Sequence, residues 1–334
     1  MANGKIDVVV TWVDGNDKNW LEEKAKYSIP SGDETDNDSS RYRDFELMEY
    51  FFRGIEENMP WINKIFFITW GHLPGFLNTN HPKLRIVKHE DYIPKEYLPT
   101  YNSNVIELNL HRIEELSENF ILFNDDMFVI DKLKEEQFFK NNLPCDTLSS
   151  RTMVNYVFGH LIYYMIFNNM GIINKYFYGN KPFFKWVNPA YSLKNNISNA
   201  INRLTKRYSA FEDQHIPIPH KKSVFQEIWE KEPDLLDTMC RNKFRTPYDF
   251  NHWMMRYWNL ASGNFVPTDV SKIGYYTDLD NDFGYLIDII ENRKEKIFLL
   301  NDTNNETQEM FEIHKPGFQK AFAKILPNKS SYEI

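Results

Sequence analysis

Four short apolar runs punctuate the chain before Asn124, and each stops abruptly at polar residues. Ile6 to Val13 is rich in β-branched residues and stops at Asp14 and Gly15. Lys64 to Thr69 reads KIFFIT, and Leu84 to Lys88 precedes His89, Glu90 and Asp91. Phe120 to Phe123 ends in Asn124, Asp125 and Asp126. Apolar runs this short and this continuous predict strands buried on both faces of a sheet. Between them, Phe45, Met48, Phe52 and Ile55 recur at helical spacing, which predicts a helix over 41–58 that leaves at Met59 and Pro60. A further helix is predicted over 104–116. Strands separated by helices, each with polar residues past its carboxyl end, predict an α/β fold with a Rossmann-like, mostly parallel sheet.

From Arg151 to Asp213 the pattern changes to longer helix-biased segments and a basic stretch containing Lys194, Arg203, Lys206 and Arg207. The sequence therefore divides into a nucleotide-binding part over 1–150, an inserted helical region over 151–213 and the rest of the core over 214–334. The insertion reads as a lid, an acceptor platform or added packing around the core. After it, HIPIP at His215 to Pro219 carries two prolines that stiffen an extended segment presenting a histidine. Helices are predicted over 223–240 and 249–261, with Arg245 between them. A last strand over 296–300 ends in Asn301 and Asp302, repeating the earlier strand-then-Asn-Asp pattern. The tail, with Ser331, Tyr332 and Glu333, is predicted to fray.

Composition narrows the function. The chain has 334 residues, enough for a large core, and a net charge of -8. An acidic chain without an extended basic stripe argues against a nucleic-acid partner. A phosphorylated ligand would then need local Arg, Lys or metal. The apolar runs are too short to span a membrane, and the amino terminus lacks the run of a signal peptide, so the expected location is cytoplasmic. Cys145 and Cys240 stand alone, without metal-site spacing. The acidic segment 31–40 lacks the spacing of a calcium loop.

The strongest chemical signal is the Asp125–Asp126 pair behind a buried strand. Two adjacent carboxylates repel each other and a phosphate, so their joint use is to hold a divalent cation that bridges to a diphosphate. An ordinary Asp turn is the plain alternative. His215, on a stiffened segment, is a candidate general base.

Four blocks in order carry a resemblance: IDVVVTWVDGND from Ile6; RYRDFE from Arg41 running through FILFNDDMF; HIPIP with Phe244 and Arg245; and IFLLNDT from Ile297 with the terminal PNKSSYE. Together they resemble the Stealth family of hexose-1-phosphate transferases. One departure is Asn104, where the family's usual residue is His. The resemblance implies a nucleotide-sugar-binding core and transfer of a sugar 1-phosphate from a nucleotide-diphosphate sugar, expected to be UDP-linked, to a saccharide or polysaccharide hydroxyl. A nucleoside monophosphate is released, in capsule or other surface polysaccharide synthesis. It implies Mg2+ or Mn2+ on Asp125 and Asp126, and donor contacts from Trp12, Asp14, Arg43, Asn102, Ser103, Asn301 and Asp302. His215, Arg245 and Glu333 would be catalytic. Polymer acceptors are built at the inner membrane face, so peripheral association is expected there, although the sequence offers no evident amphipathic anchor. Two other readings stay open: a metal-dependent glycosyltransferase that releases a nucleoside diphosphate, and a non-catalytic carbohydrate-binding protein using its aromatic residues.

Overall fold

The computed structural model describes residues 4–27, 44–152, 160–275, 282–300 and 308–334. Its centre is a five-stranded sheet. Strands β1 (Ile6–Thr11), β2 (Ile65–Thr69), β3 (Leu84–Lys88) and β4 (Asn119–Phe123) run parallel, in spatial order β4, β1, β2, β3. The strand Ile218–Lys221 closes the β4 edge antiparallel. The first three strands add outward in one direction, and the chain then returns to place β4 on the other side of β1. The strand order therefore reverses at β1, and a crevice opens beyond the carboxyl ends of β1 and β4. Open α/β sheets bind ligands in such crevices.

Why the runs are continuous is plain from the two cores. Val8, Val10, Ile65, Phe67, Ile121 and Phe123 face one side of the sheet. Val9, Phe66, Ile68, Phe120 and Leu122 face the other. Each side is covered, so neither set of alternating positions is polar. The short helix α1 (Lys18–Ala25) follows β1, with Asp17 accepting from the Trp20 N–H as its cap. Helix α2 (Met48–Asn58) packs on the first face. The predicted helix over 41–58 is thus shorter than expected. Glu46 adopts a left-handed backbone at φ 55°, which a right-handed helix cannot include.

After the single turn α3 (His89–Tyr92), helix α4 (Ser103–Leu108) covers the second face. The predicted helix over 104–116 stops early, because the Asn109 side chain donates back to the Val105 carbonyl at 2.8 Å and accepts from Arg112 Nε at 2.8 Å. These local bonds compete with the helical ladder. Past β4, a tight turn leads into β5 (Met127–Val129), which pairs antiparallel with the strand Ile297–Leu299.

Helices α5 (Leu161–Tyr176), α6 (Phe183–Trp186) and α7 (Leu193–Arg203) lie in the stretch 151–213. Ile172, Ile173 and Trp186 join the same buried cluster as Phe120. Helices α8 (Lys222–Lys231) and α9 (Pro233–Cys240) replace the single helix predicted over 223–240, with Pro233 starting the second. Helix α10 (Trp253–Ser262) follows. Its Arg256 donates to both oxygens of Asp146 at 2.7 and 3.0 Å and to Asp213 at 2.7 Å, so one buried guanidinium ties together the two ends of the stretch between them. Helices α11 (Phe283–Glu291) and α12 (Gln308–Ile325) complete the first face. Among the described residues no helix is long and apolar enough to cross a membrane.

The chain's end does not fray. Tyr332 is buried, its carbonyl accepts from the Asn78 N–H at 2.7 Å, and the Ile334 N–H donates to the Phe76 carbonyl at 2.9 Å.

Candidate functional site

The turn after β4 is where sequence and topology meet. The Met127 N–H donates to the Asn124 carbonyl at 3.3 Å, which puts Asp125 and Asp126 at the tip of a turn in the crevice. The Asp126 backbone carbonyl accepts from the Leu300 N–H at 2.9 Å, which fixes the turn from the far strand. Asp126 Oδ1 is buried and has no hydrogen-bond partner. Burial, with repulsion from Asp125, pushes the Asp126 carboxyl up to about 7. Asp125 is also pushed up, by burial first and then by Asp44. As a residue, however, Asp125 is exposed at the tip of the turn, and water there moderates the push. We take Asp126 as the more strongly perturbed of the two.

Asp44 connects this turn to a cleft of about 810 Å³, which is a volume suited to a small ligand. The cleft is also lined by Trp12, Asp14, Lys24, Phe76 and Lys315, whereas Asp125 and Asp126 border it only through Asp44. Asp14 sits just past β1. Its backbone N–H donates to His72 Nε2 at 2.8 Å, and its carboxylate accepts from the Asn16 N–H at 2.9 Å. The Trp12 ring meets His72 edge-on, with centroids 5.3 Å apart. Lys24 and Lys315 bring positive charge to a cleft that otherwise carries carboxylates. Burial lowers Lys24 to about 8, and Lys315 is ion-paired with Glu46 at 2.8 Å. Both cations were missed in the sequence, where a lysine on a helix looks like any solvated base.

His215 reaches the turn from the opposite side. Its Nε2 lies 3.4 Å from Asn124 Nδ2, although 91 positions separate the two residues. With the amide as donor, Nε2 is the unprotonated ring nitrogen, and its single lone pair is held toward the turn by the Asn124 amide. His215 has φ 47°, an uncommon conformation for a residue with a side chain and one that marks strain at functional positions.

Behind His215 is a buried group that sequence reasoning did not find. Glu107, on α4, is pushed up to about 7 by burial against the opposing pull of Arg245. Its Oε2 lies 3.9 Å from His252 Nε2, and His252 Nδ1 lies 3.0 Å from His220 Nε2. Burial, with repulsion from His215 and Arg256, lowers His252 to about 3, so the imidazole next to Glu107 is neutral. A carboxyl titrating near neutrality can hold or release a proton at working pH. Arg245 Nη2 donates to Ser103 Oγ at 2.6 Å, which joins these two predicted residues at the start of α4. Nothing local in IELN marks Glu107; its setting comes from α10.

Two of the predicted site residues are engaged within the protein. Asn102 was expected to contact a donor sugar, but it is wholly buried. Its carbonyl oxygen caps α4 by accepting from the Asn104 N–H at 3.1 Å, and its amide donates to Asp249 at 2.6 Å. That side chain is committed to the scaffold. Glu333 was expected to be catalytic. Both its oxygens accept from Arg53, at 2.7 and 2.8 Å, and Oε1 also accepts from the Ser330 N–H at 2.7 Å. Burial works to raise this carboxyl, but the Arg53 and Ser330 hydrogen bonds outweigh it and hold the group below its ordinary range. An ionised, fully engaged carboxylate makes a poor base. The pair fastens the carboxyl terminus to α2. Glu333→Gln is therefore expected to lower stability by about 3 kcal/mol in urea denaturation, since it breaks a largely buried ion pair. Turnover per folded molecule should be unchanged. Arg43, Asn301 and Asp302 lie outside the described residues.

Comparison with known proteins bears on the family of the chain. Family models for Stealth protein conserved region 1 and conserved region 2 match residues 4–29 and 41–146. The capsular polysaccharide phosphotransferase WcwK of Streptococcus pneumoniae is 47% identical over 333 residues, covering 98% of each chain. The chain belongs to the Stealth family. The receptor polysaccharide phosphotransferase WefC of Streptococcus gordonii is 37% identical and covers 99% of each chain. The exopolysaccharide phosphotransferase cps2G of Lactiplantibacillus plantarum is 32% identical, covering 98% of this chain and 96% of its own.

The Stealth chain's acidic turn can be tested for its fit to a divalent cation. The described residues contain no cluster of three or more His, Cys, Asp or Glu arranged to hold a metal. An all-protein cage is thereby excluded among them. A hard cation that takes one or two carboxylates and completes its shell with water and phosphate oxygens needs less. The partnerless Asp126 Oδ1 and the mutual repulsion of the pair suit that mode.

Proposed function

We propose that this Stealth chain transfers a hexose 1-phosphate or N-acetylhexosamine 1-phosphate from a nucleotide-diphosphate sugar, with UDP as the nucleotide, to a saccharide hydroxyl during surface polysaccharide synthesis. The acceptor oxygen forms a bond to the phosphorus that bears the sugar. The bond from that phosphorus to the nucleoside phosphate breaks, and a nucleoside monophosphate leaves with the electron pair. His215 Nε2 takes the acceptor proton once the acceptor hydroxyl replaces the Asn124 amide on its lone pair. Arg245, oriented by Ser103, grips phosphate oxygens through its planar fork of donors. Glu107 sets the charge beside Arg245, and Trp12 and Asp14 receive the nucleotide side of the donor. Mg2+ or Mn2+, when bound, neutralises diphosphate charge at Asp125 and Asp126. The reaction is assigned to the inner membrane face, with the protein peripheral to it.

The observation that carries this reading is the approach of His215 to the turn bearing the two aspartates. A base and a charge-neutralising group on one reacting phosphorus are what phosphoryl transfer requires. The test is a screen of UDP-sugars with purified protein, Mn2+ and a saccharide acceptor. UMP should accumulate, EDTA should abolish its release, and added Mg2+ or Mn2+ should restore it. Accumulation of UDP as the direct product would support the glycosyltransferase reading instead.

A further inference from the structure

Helix α7 is folded inside out. Its apolar residues Leu193, Ile197 and Ile201, with Leu204 at its C-cap, are spaced four, four and three apart, so they occupy one face about 80° wide. That face points to solvent: Leu193 is 77% exposed and Leu204 85%. The inward face carries asparagines instead. Asn199 is wholly buried; its oxygen accepts from the Ser150 N–H and hydroxyl at 2.8 Å, and its amide donates to the Leu148 and Trp186 carbonyls at 2.7 and 2.9 Å. Those bonds fix which side of the helix looks outward. Neighbouring α6 adds Phe183 and Phe184, the latter 81% exposed. Single exposed apolar residues are ordinary, but six grouped on one surface mark an interaction site.

Charge indicates what covers this surface. Residues 147–211 contain no Asp or Glu, although the chain holds 47 of them, while the same stretch carries eight Lys and Arg. Around α7, Lys194 borders one edge of the apolar face and Arg203 the other, and Lys206 and Arg207 follow its end; all four are exposed. Arg203 lies over the Phe183 ring at 5.3 Å, so a base and an exposed aromatic ring share one patch. A helix with an outward apolar face flanked by bases is the pattern that lies in the headgroup region of a bilayer. A second copy is disfavoured as the occupant, because it would bring one acid-free basic surface against another.

We propose that the α6–α7 surface docks on an anionic lipid bilayer, with the apolar face entering the headgroup boundary and Lys194, Arg203, Lys206 and Arg207 meeting lipid phosphates. This deepens the membrane-side placement in the proposed function and rests on that reading only for the setting. The test is co-sedimentation of the full chain with vesicles of phosphatidylcholine containing phosphatidylglycerol, without any sugar donor, so binding is read independently of turnover. Binding should require the anionic lipid and weaken as salt is raised. Ile197→Ser with Ile201→Ser should abolish it without altering the melting curve, because both side chains are exposed. Replacing Lys194, Lys206 and Arg207 by Gln should weaken it by about fivefold for each base removed. Equal binding to neutral vesicles or undiminished binding by the variants would overturn the proposal. So would a dimer in sedimentation velocity that the Ile variants dissociate while no vesicle binding is seen.

Discussion

His215→Ala is expected to lower turnover by about a hundredfold to ten-thousandfold, the contribution typical of a positioned general base. The effect should fall on kcat more than on KM, because a group that takes a proton in the transition state adds little to ground-state binding. The variant should still fold, since His215 is only half-buried and sits in a strained left-handed conformation at φ 47°. His215→Gly sharpens the test. Glycine accepts that conformation without cost, so this variant should melt at or above the parent temperature while losing the same activity. Parallel steady-state kinetics and thermal melts of both variants check it. A modest loss of turnover in folded His215→Ala would remove His215 from the chemistry.

Asp126→Asn is expected to abolish metal-dependent turnover and, in metal-free buffer, to stabilise the fold. Burial raises the Asp126 carboxyl from 3.8 in its ordinary state to about 7. The charged form is thus disfavoured in the folded protein, and the associated stability is present at low pH and is lost as pH rises from about 4 through about 7. Carried through in full, that rise corresponds to an upper limit of about 4 kcal/mol. Asparagine lacks that charge at every pH. The variant should therefore melt above the parent at pH 8 without metal, and the difference should shrink toward zero at acid pH. Added Mg2+ or Mn2+ should narrow the gap at pH 8 by stabilising only the parent. Scanning calorimetry across pH, with and without metal, measures each of these. A parent more stable than Asp126→Asn in metal-free buffer at pH 8 would contradict the picture of a charge held in place for a ligand.

The sheet was legible in the sequence for a specific reason. Strands covered on both faces produce unbroken apolar runs, so KIFFIT and FILF could be recognised without knowing which side faced what. The Asn-Asp end of β4 was legible because polar residues beyond such a run must lie in the crevice. Helix boundaries were not, because they depend on single local events: the left-handed Glu46 and the back-bonding Asn109. The ordered tail was hidden because Glu333 finds Arg53 only across 280 positions. Glu107 was hidden for the same kind of reason, since its raised proton affinity comes from burial among α4, α10 and the Arg245 loop. In α7 the amphipathic face was not recognised, because apolar residues at helical spacing are ordinarily turned inward. Only the buried Asn199 network shows that the apolar face is the outer one.

The central claim is attack at phosphorus rather than at the anomeric carbon, and an isotope decides it most directly. The donor is prepared with oxygen-18 in the bond joining the sugar to its phosphate, and the product is analysed by mass spectrometry and phosphorus NMR. Transfer of a sugar 1-phosphate keeps that bond intact, so the label should appear in the new phosphodiester, and the released nucleotide should be an unlabelled monophosphate. Label recovered in a released nucleoside diphosphate, with a product free of phosphorus, would contradict the account.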